Sequence, residues 1–259
     1  MTALTFEQQF VNRIVCGDCL ETMAQMPDAS VDLIVTSPPY NLKNSTGNGM
    51  KEGTRASRWS LNPLQQGYPD HSDQMPHADY VQWQRNCLHE AMRLLPIDGA
   101  IFYNHKWRVQ DGLIQDRADI LEGFPVRQVI IWKRAGGFNF NPGYFVPTYE
   151  VIYLIAKPKF KLADKKNAYG DVWEFPQEKN NLHPAPFPLP LPLRCIDSTD
   201  AQLILDPFSG SGTTAVAAKK LNRRYIGIDI ASEYCIKAER RLNGREAEPI
   251  DLETQLALF

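Results

Sequence analysis

The sequence predicts a single α/β domain built on a largely parallel sheet, and three observations carry that expectation. Short β-branched apolar runs alternate with stretches of helical spacing; a glycine-rich turn joins one such run to one such helix; and 259 residues, 43% hydrophobic and 22% charged, can bury a sizeable core. The same composition excludes a disordered or fibrous chain. A formal net charge of −2 means that affinity for a polyanion has to come from a local basic face. No run of about 18 apolar residues occurs, and residues 1–12 lack the basic start and apolar stretch of a secretion signal, so a cytoplasmic location without a membrane partner is expected. Five scattered cysteines read as free thiols.

In chain order, residues 13–17 and 31–36 are strands, and between them 19–26 has helical spacing, with Leu20, Met23 and Ala24 on one side. Residues 41–76 are polar and rich in Gly, Asn, Ser, Gln and Pro without a period, which implies a long loop kept for a purpose. An amphipathic helix follows over 78–95, where Val81, Leu88, Ala91, Met92 and Leu95 recur at three to four residues before Gly99. Residues 100–103, 129–132 and 150–156 are further strands. The densest basic stretch is 157–166, and five prolines interrupt 180–192. The interval between these two segments is therefore expected to lie outside the core secondary structure. The last third predicts strand 203–205, helix 213–221, strand 225–230 and helix 232–242.

The glycine turn runs Asp206-Pro207-Phe208-Ser209-Gly210-Ser211-Gly212-Thr213-Thr214, between a strand and a helix. Its glycines permit close backbone approach to a nucleotide-like ligand, and Asp229, ending the next strand, is suited to accept two ribose hydroxyls. Asp206 at the mouth of the turn would repel a pyrophosphate, whereas an α-ammonium and a sulfonium would be attracted. Alternatively, Asp206 caps the following helix. The absence of Lys after Gly212 excludes a nucleotidase P-loop.

A second constellation is Thr36-Ser37-Pro38-Pro39-Tyr40-Asn41, where two prolines stop a strand and stiffen a turn that presents fixed carbonyls. An exocyclic amino group of a base is a poor nucleophile because its lone pair is conjugated into the ring. A site that methylates it must draw its protons toward acceptors, and Ser37 Oγ and the Pro38 carbonyl are two such acceptors. Tyr40 is expected to stack on the extruded base. No metal is needed. Cys16 and Cys19 have the spacing of half a zinc site, but no second pair follows.

Together these residues resemble motifs IV and I of the S-adenosyl-L-methionine-dependent amino-DNA methyltransferases, and their order, catalytic tetrad first and cofactor loop last, is similar to the β group. The resemblance implies a Rossmann-like, mostly parallel seven-stranded sheet with helices on both faces in circularly permuted order. It implies a catalytic set of Ser37, Pro38, Pro39 and Tyr40. It implies cofactor contacts from Asp18 (adenine amino group), Asp229 (ribose), Phe208 (beside adenine), Asp206, Gly210, Gly212 and Thr213, with His183 in the segment before a helix bordering the methionine end. The strands leading to Asp18, Asp229, Asp206 and Ser37 would then lie side by side. Ser at position 37, where adenine-modifying members usually carry Asp or Asn, leans toward cytosine N4 over adenine N6.

For double-stranded DNA, candidate contacts are Lys43, Arg55 and Arg58 in the long loop, Lys133 and Arg134, and Lys159 and Lys161. The resemblance places target recognition at about 157–182, a short region, which suggests a homodimer; a restriction endonuclease is a further candidate partner. Two rival readings are a cofactor-sensing DNA-binding module without turnover and a protein glutamine methyltransferase. The second of these would have Asn at position 37 and the cofactor loop first.

Overall fold

The structure is a computed structural model that describes residues 4–41, 75–110, 112–134, 142–176 and 188–245. The strands are β1 (Arg13–Cys16), β2 (Leu33–Thr36), β3 (Ala100–His105), β4 (Arg108–Gln110), β5 (Leu113–Gln115), β6 (Val126–Lys133), β7 (Tyr149–Ala156), β8 (Val172–Glu174), β9 (Leu203–Asp206) and β10 (Arg224–Asp229). The helices are α1 (Phe6–Phe10), α2 (Cys19–Ala24), α3 (His77–Leu94), α4 (Ala118–Leu121), α5 (Pro190–Asp197), α6 (Thr213–Lys220) and α7 (Ser232–Leu242).

Eight of the strands form one sheet in the order β1-β10-β9-β2-β3-β7-β6-β8, while β4 and β5 make a separate hairpin. The first five strands are mutually parallel, β7 is antiparallel to both its neighbours, and β8 is parallel to β6. The central strands are buried on both faces, and alternate residues supply two cores. Ile34, Ile101, Val151 and Tyr153 meet α2 and α3 on one face; Leu33, Val35, Phe102, Ile152 and Leu154 meet α5 and α6 on the other. Helices on both faces are as expected.

The strand count is a correction: the sheet has eight strands among the described residues, where seven were expected. The addition is β8, which lies in the interval expected to stay outside the core. Trp173 at its centre is 3% exposed, and its ring and those of Tyr169 and Phe175 lie against the Arg194 guanidinium of α5. One buried aromatic is enough to seat a three-residue edge strand that is too short for any periodicity to reveal. The prolines of 180–192 also reach into α5. Pro190 and Pro192 stand in the first turn of that helix, where the missing amide has no intrahelical partner to lose.

Local chemistry explains the other boundaries. Asp18 caps α2 by accepting from the amides of Leu20 and Glu21. At Leu95 the chain turns extended just before Pro96, which ends α3. Gly212 opens α6 at φ 77°, and a Cβ there would sit 2.8 Å from Cβ of Ala238 in α7, so a side chain is excluded by both conformation and space. Among the described residues no helix is long and apolar enough to cross a membrane.

Candidate active site

The strands leading to Asp18, Asp229, Asp206 and Ser37 are β1, β10, β9 and β2, which are neighbours in that order. Their carboxyl ends form one rim, the usual place for a ligand crevice in an open α/β sheet. The two sequence constellations are fastened together there. Thr36 Oγ1 donates to Asp206 Oδ1 at 2.7 Å, Thr214 Oγ1 donates to Asp206 Oδ2 at 2.7 Å, and Thr214 also reaches the Val35 carbonyl at 3.3 Å.

Asp206 thus does more than was expected of it. It is buried, and besides the two hydroxyls it accepts from the Phe208 amide at 3.1 Å. Burial raises its carboxyl pKa to about 6, against the pull of these hydrogen bonds. Asp229 fixes the glycine loop, accepting from Gly210 N at 2.7 Å through Oδ2 and from Ala231 N at 2.9 Å through Oδ1. Phe208, half-buried, lies edge-on to Trp83 of α3, ring centroids 5.6 Å apart. Thr213 is buried and accepts from Arg241 at 2.8 Å. A set of acids spaced along one rim suits a ligand with hydroxyls, an amino group and a sulfonium. Both Asp18 cap bonds use Oδ1.

The tetrad is held from below and from the side. Tyr80 Oη and Gln84 Nε2 of α3 donate to the Pro39 carbonyl at 2.9 and 3.3 Å. Ser37 Oγ and Tyr40 Oη are 2.7 Å apart, and Asn104 Nδ2 donates to Tyr40 Oη at 2.7 Å and lies 3.3 Å from Ser37 Oγ. Tyr40 Oη donates to Glu150 Oε2 at 3.3 Å; Glu150 Oε1 in turn pairs with Arg134 at 3.2 Å, both side chains 8% exposed. Lys106 is close enough to feel this pair, and burial pushes its ammonium below the ordinary lysine range.

Several expectations change. Tyr40 is 3% exposed, and its ring already stacks on His105 at 4.8 Å, so an entering base has to displace what covers its other face. Arg134 is turned inward to Glu150 and is not aimed at a phosphate backbone. Lys159 and Lys161 are exposed but sit at the wrong rim. The amides of Lys157 and Lys159 donate to the carbonyls of Gly99 and Ile97, at the amino end of β3. The six residues of β3 put that rim about 17 Å from the tetrad. Of the basic candidates that are described, Lys133 stays at the carboxyl rim, exposed and paired with Glu174 at 3.1 Å.

Lys43, Arg55, Arg58 and His183 lie outside the described residues. Next to the tetrad, Asn41 Nδ2 donates to the Met75 carbonyl at 2.8 Å. Tyr80, Gln84, Asn104, His105 and Glu150 were missed from sequence. Their signal was weak but present: polar side chains inside apolar stretches, with Asn104 and His105 closing one strand and Glu150 near the start of another. Among the described residues no His/Cys/Asp/Glu cluster could hold a metal.

Comparison with known proteins identifies the family. A family model described as DNA methylase, of the N6 and N4 type, matches residues 31–240. The type II methyltransferase M.BglII of Bacillus subtilis is 29% identical over 286 aligned residues, covering 94% of this chain and 72% of that protein. A protein of Thermus thermophilus described as a DNA modification methylase, solved with S-adenosyl-L-methionine, is 25% identical with a TM-score of 0.64, covering 92% of this chain and 96% of that one. The PvuII cytosine-N4-specific DNA methyltransferase superimposes with a TM-score of 0.68 at 18% identity, covering 95% and 90%, a likeness of fold. The chain belongs to the N6/N4 DNA methylase family, and is on that ground an S-adenosyl-L-methionine-dependent DNA methyltransferase.

Proposed function

We propose that this enzyme methylates the exocyclic amino group of a base extruded from a specific DNA site, with cytosine N4 favoured over adenine N6. The observation that carries the reading is the direct fastening of the Ser-Pro-Pro-Tyr turn to the glycine loop through Thr36, Asp206 and Thr214. It supports a site in which the amine acceptors lie beside the donor loop, as a direct displacement requires.

Asp18, Asp229, Phe208 and the 210–213 loop would hold S-adenosyl-L-methionine, which supplies an electrophilic methyl group on a sulfonium. Asp206 contributes negative charge from below the loop. Ser37 Oγ and the Pro38 carbonyl accept from the target amine and draw it toward pyramidal geometry, while Pro39, gripped by Tyr80 and Gln84, keeps the turn rigid. The hydroxyl at position 37 supports the cytosine assignment. Lys133 and the basic residues of the 42–74 segment are the proposed phosphate contacts.

The reading includes one methyltransferase domain and a homodimer. Support for the dimer comes from β8: it commits part of the short 157–182 region to the sheet and leaves less chain to read DNA. The designation of M.BglII as a type II methyltransferase supports a role beside a restriction endonuclease.

The test is transfer of tritium from methyl-labelled S-adenosyl-L-methionine to DNA, followed by digestion to nucleosides and chromatography. Label in N4-methylcytosine is the expected result. Label in N6-methyladenine reverses the base assignment, and no label in any DNA with cofactor bound refutes the reading.

A further inference from the structure

We propose that Glu150 is a positioning residue for methyl transfer: through Tyr40 it sets the sense of a hydrogen-bond chain, so that the Ser37 hydroxyl donates inward and offers its lone pairs to the target amine. The inference rests on the function proposed above.

A serine at this place has a weakness, since its oxygen carries a proton of its own. The Ser37–Tyr40 contact at 2.7 Å can run either way. If Tyr40 donates to Ser37, the Ser37 proton is left pointing toward the amine, where it opposes the amine's own N–H. If Ser37 donates to Tyr40, its oxygen faces the amine as an acceptor only. Two neighbours select the second sense. Asn104 Nδ2 donates to Tyr40 Oη at 2.7 Å and so marks that oxygen as an acceptor, and the Glu150 carboxylate at 3.3 Å takes its proton. A hydrogen bond to a carboxylate is roughly twice as strong as one to a neutral hydroxyl, so the competition for the Tyr40 proton favours Glu150. Tyr40 then accepts from Ser37 and Asn104 and donates to Glu150.

The surroundings of Glu150 fit the same role. Placing a carboxylate and a guanidinium in a core is a costly way to fill space, because both lose their water. Arg134 engages Oε1, and Oε2 is given over to Tyr40 and, at 3.1 Å, to Asn104. Negative charge therefore reaches Ser37 through one intervening hydroxyl, compensating for the absence of a carboxylate at position 37 itself.

The experiment compares wild type, Tyr40→Phe, Glu150→Gln and the double variant in single-turnover tritium transfer to DNA, with cofactor affinity measured separately. Each single variant is expected to transfer at least ~30-fold more slowly, the scale of losing an oriented polar group at a reacting centre. Cofactor affinity is expected to stay within about twofold, and the double variant to be no slower than the slower single one, since both cut the same chain. A wild-type rate in either single variant, losses that multiply, or slowing explained by weakened cofactor binding overturns the inference. Should Glu150→Gln fail to fold because Arg134 is left unpaired, Tyr40→Phe decides alone. It keeps the ring and the ion pair, so slowing supports the proposal and an unchanged rate overturns it. Wild-type enzyme that transfers nothing to DNA would refute the function itself, whereas normal wild-type transfer with unimpaired variants refutes only the role of Glu150.

Discussion

The two halves of the carboxyl rim are built on different principles. On the cofactor side, around β1, β10 and β9, each acidic side chain bonds a backbone amide close by in sequence, Asp18 at residues 20 and 21, Asp229 at 231 and Asp206 at 208, although Asp229 also reaches Gly210 and Asp206 the hydroxyls of Thr36 and Thr214. On the base side, around β2, β3 and β7, the tetrad is held by side chains far away in sequence, with Tyr40 reaching 64 residues to Asn104 and 110 to Glu150. Loop capping is a local property and shows in a linear motif. A buried network is created only when the sheet brings its members together, and its failure has a larger cost because unpaired charges are left in a dry core.

The sharpest way to break this contrast is at Arg134. Arg134→Ala leaves Glu150 buried without its partner and is expected to destabilise the protein by about 3–5 kcal/mol in urea unfolding. Lys133→Ala removes only an exposed pair, worth at most about 1 kcal/mol. Equal effects from neighbouring residues 133 and 134 would refute the assignment of Arg134 to the core.

Asp206 separates the halves by pH. Its carboxyl titrates near 6 when folded against 3.8 when exposed, so the folded state holds the proton more tightly. This group therefore makes stability fall as pH rises from about 4 to about 6, and above that range it costs the fold up to about 3 kcal/mol. Asp206→Asn is expected to flatten that slope and raise the melting temperature at pH 8 while weakening cofactor binding. Superimposable stability curves for variant and wild type between pH 4 and 8 would rule the buried carboxylate out as the cause.

The smallest effect concerns the two rims. Lys159→Ala and Lys161→Ala should leave the salt dependence of DNA affinity unchanged, since both lie across the sheet from the tetrad. Lys133→Ala should lower the slope of log affinity against log salt by about 1. A loss of slope at Lys159 or Lys161 instead would place DNA on the opposite rim.

Most of the framework was legible in the linear chain. The observed β2, α2, α3, β7, β9, α6, β10 and α7 fall within a few residues of the expected segments, because each carries an apolar period or a cap that its own neighbours define. The side-by-side order of the strands leading to Asp18, Asp229, Asp206 and Ser37 was also anticipated, through the motifs that end them. What escaped were elements too short to show a period, namely α1, α4, β8 and the β4–β5 hairpin, while α5, which opens on prolines, is expected only through the resemblance.

At the site the division is similar, and its cause is physical. Ser37, Asp206 and Asp229 are recognisable by themselves, because prolines and glycines advertise a turn whose chemistry is written close by in sequence, whereas Asp18 is picked out only through the family resemblance. The inward turn of Arg134, the burial of Tyr40 on His105, the displacement of Lys159 and Lys161 to the far rim, and the whole role of Glu150 follow from strand pairing. An antiparallel β7 between β3 and β6 lays Glu150 beside Asn104 and Arg134, and carries the lysines that follow it away from the reaction. Burial and distance are properties of the assembled sheet, and a side chain's environment, unlike its identity, does not exist until the strands have paired.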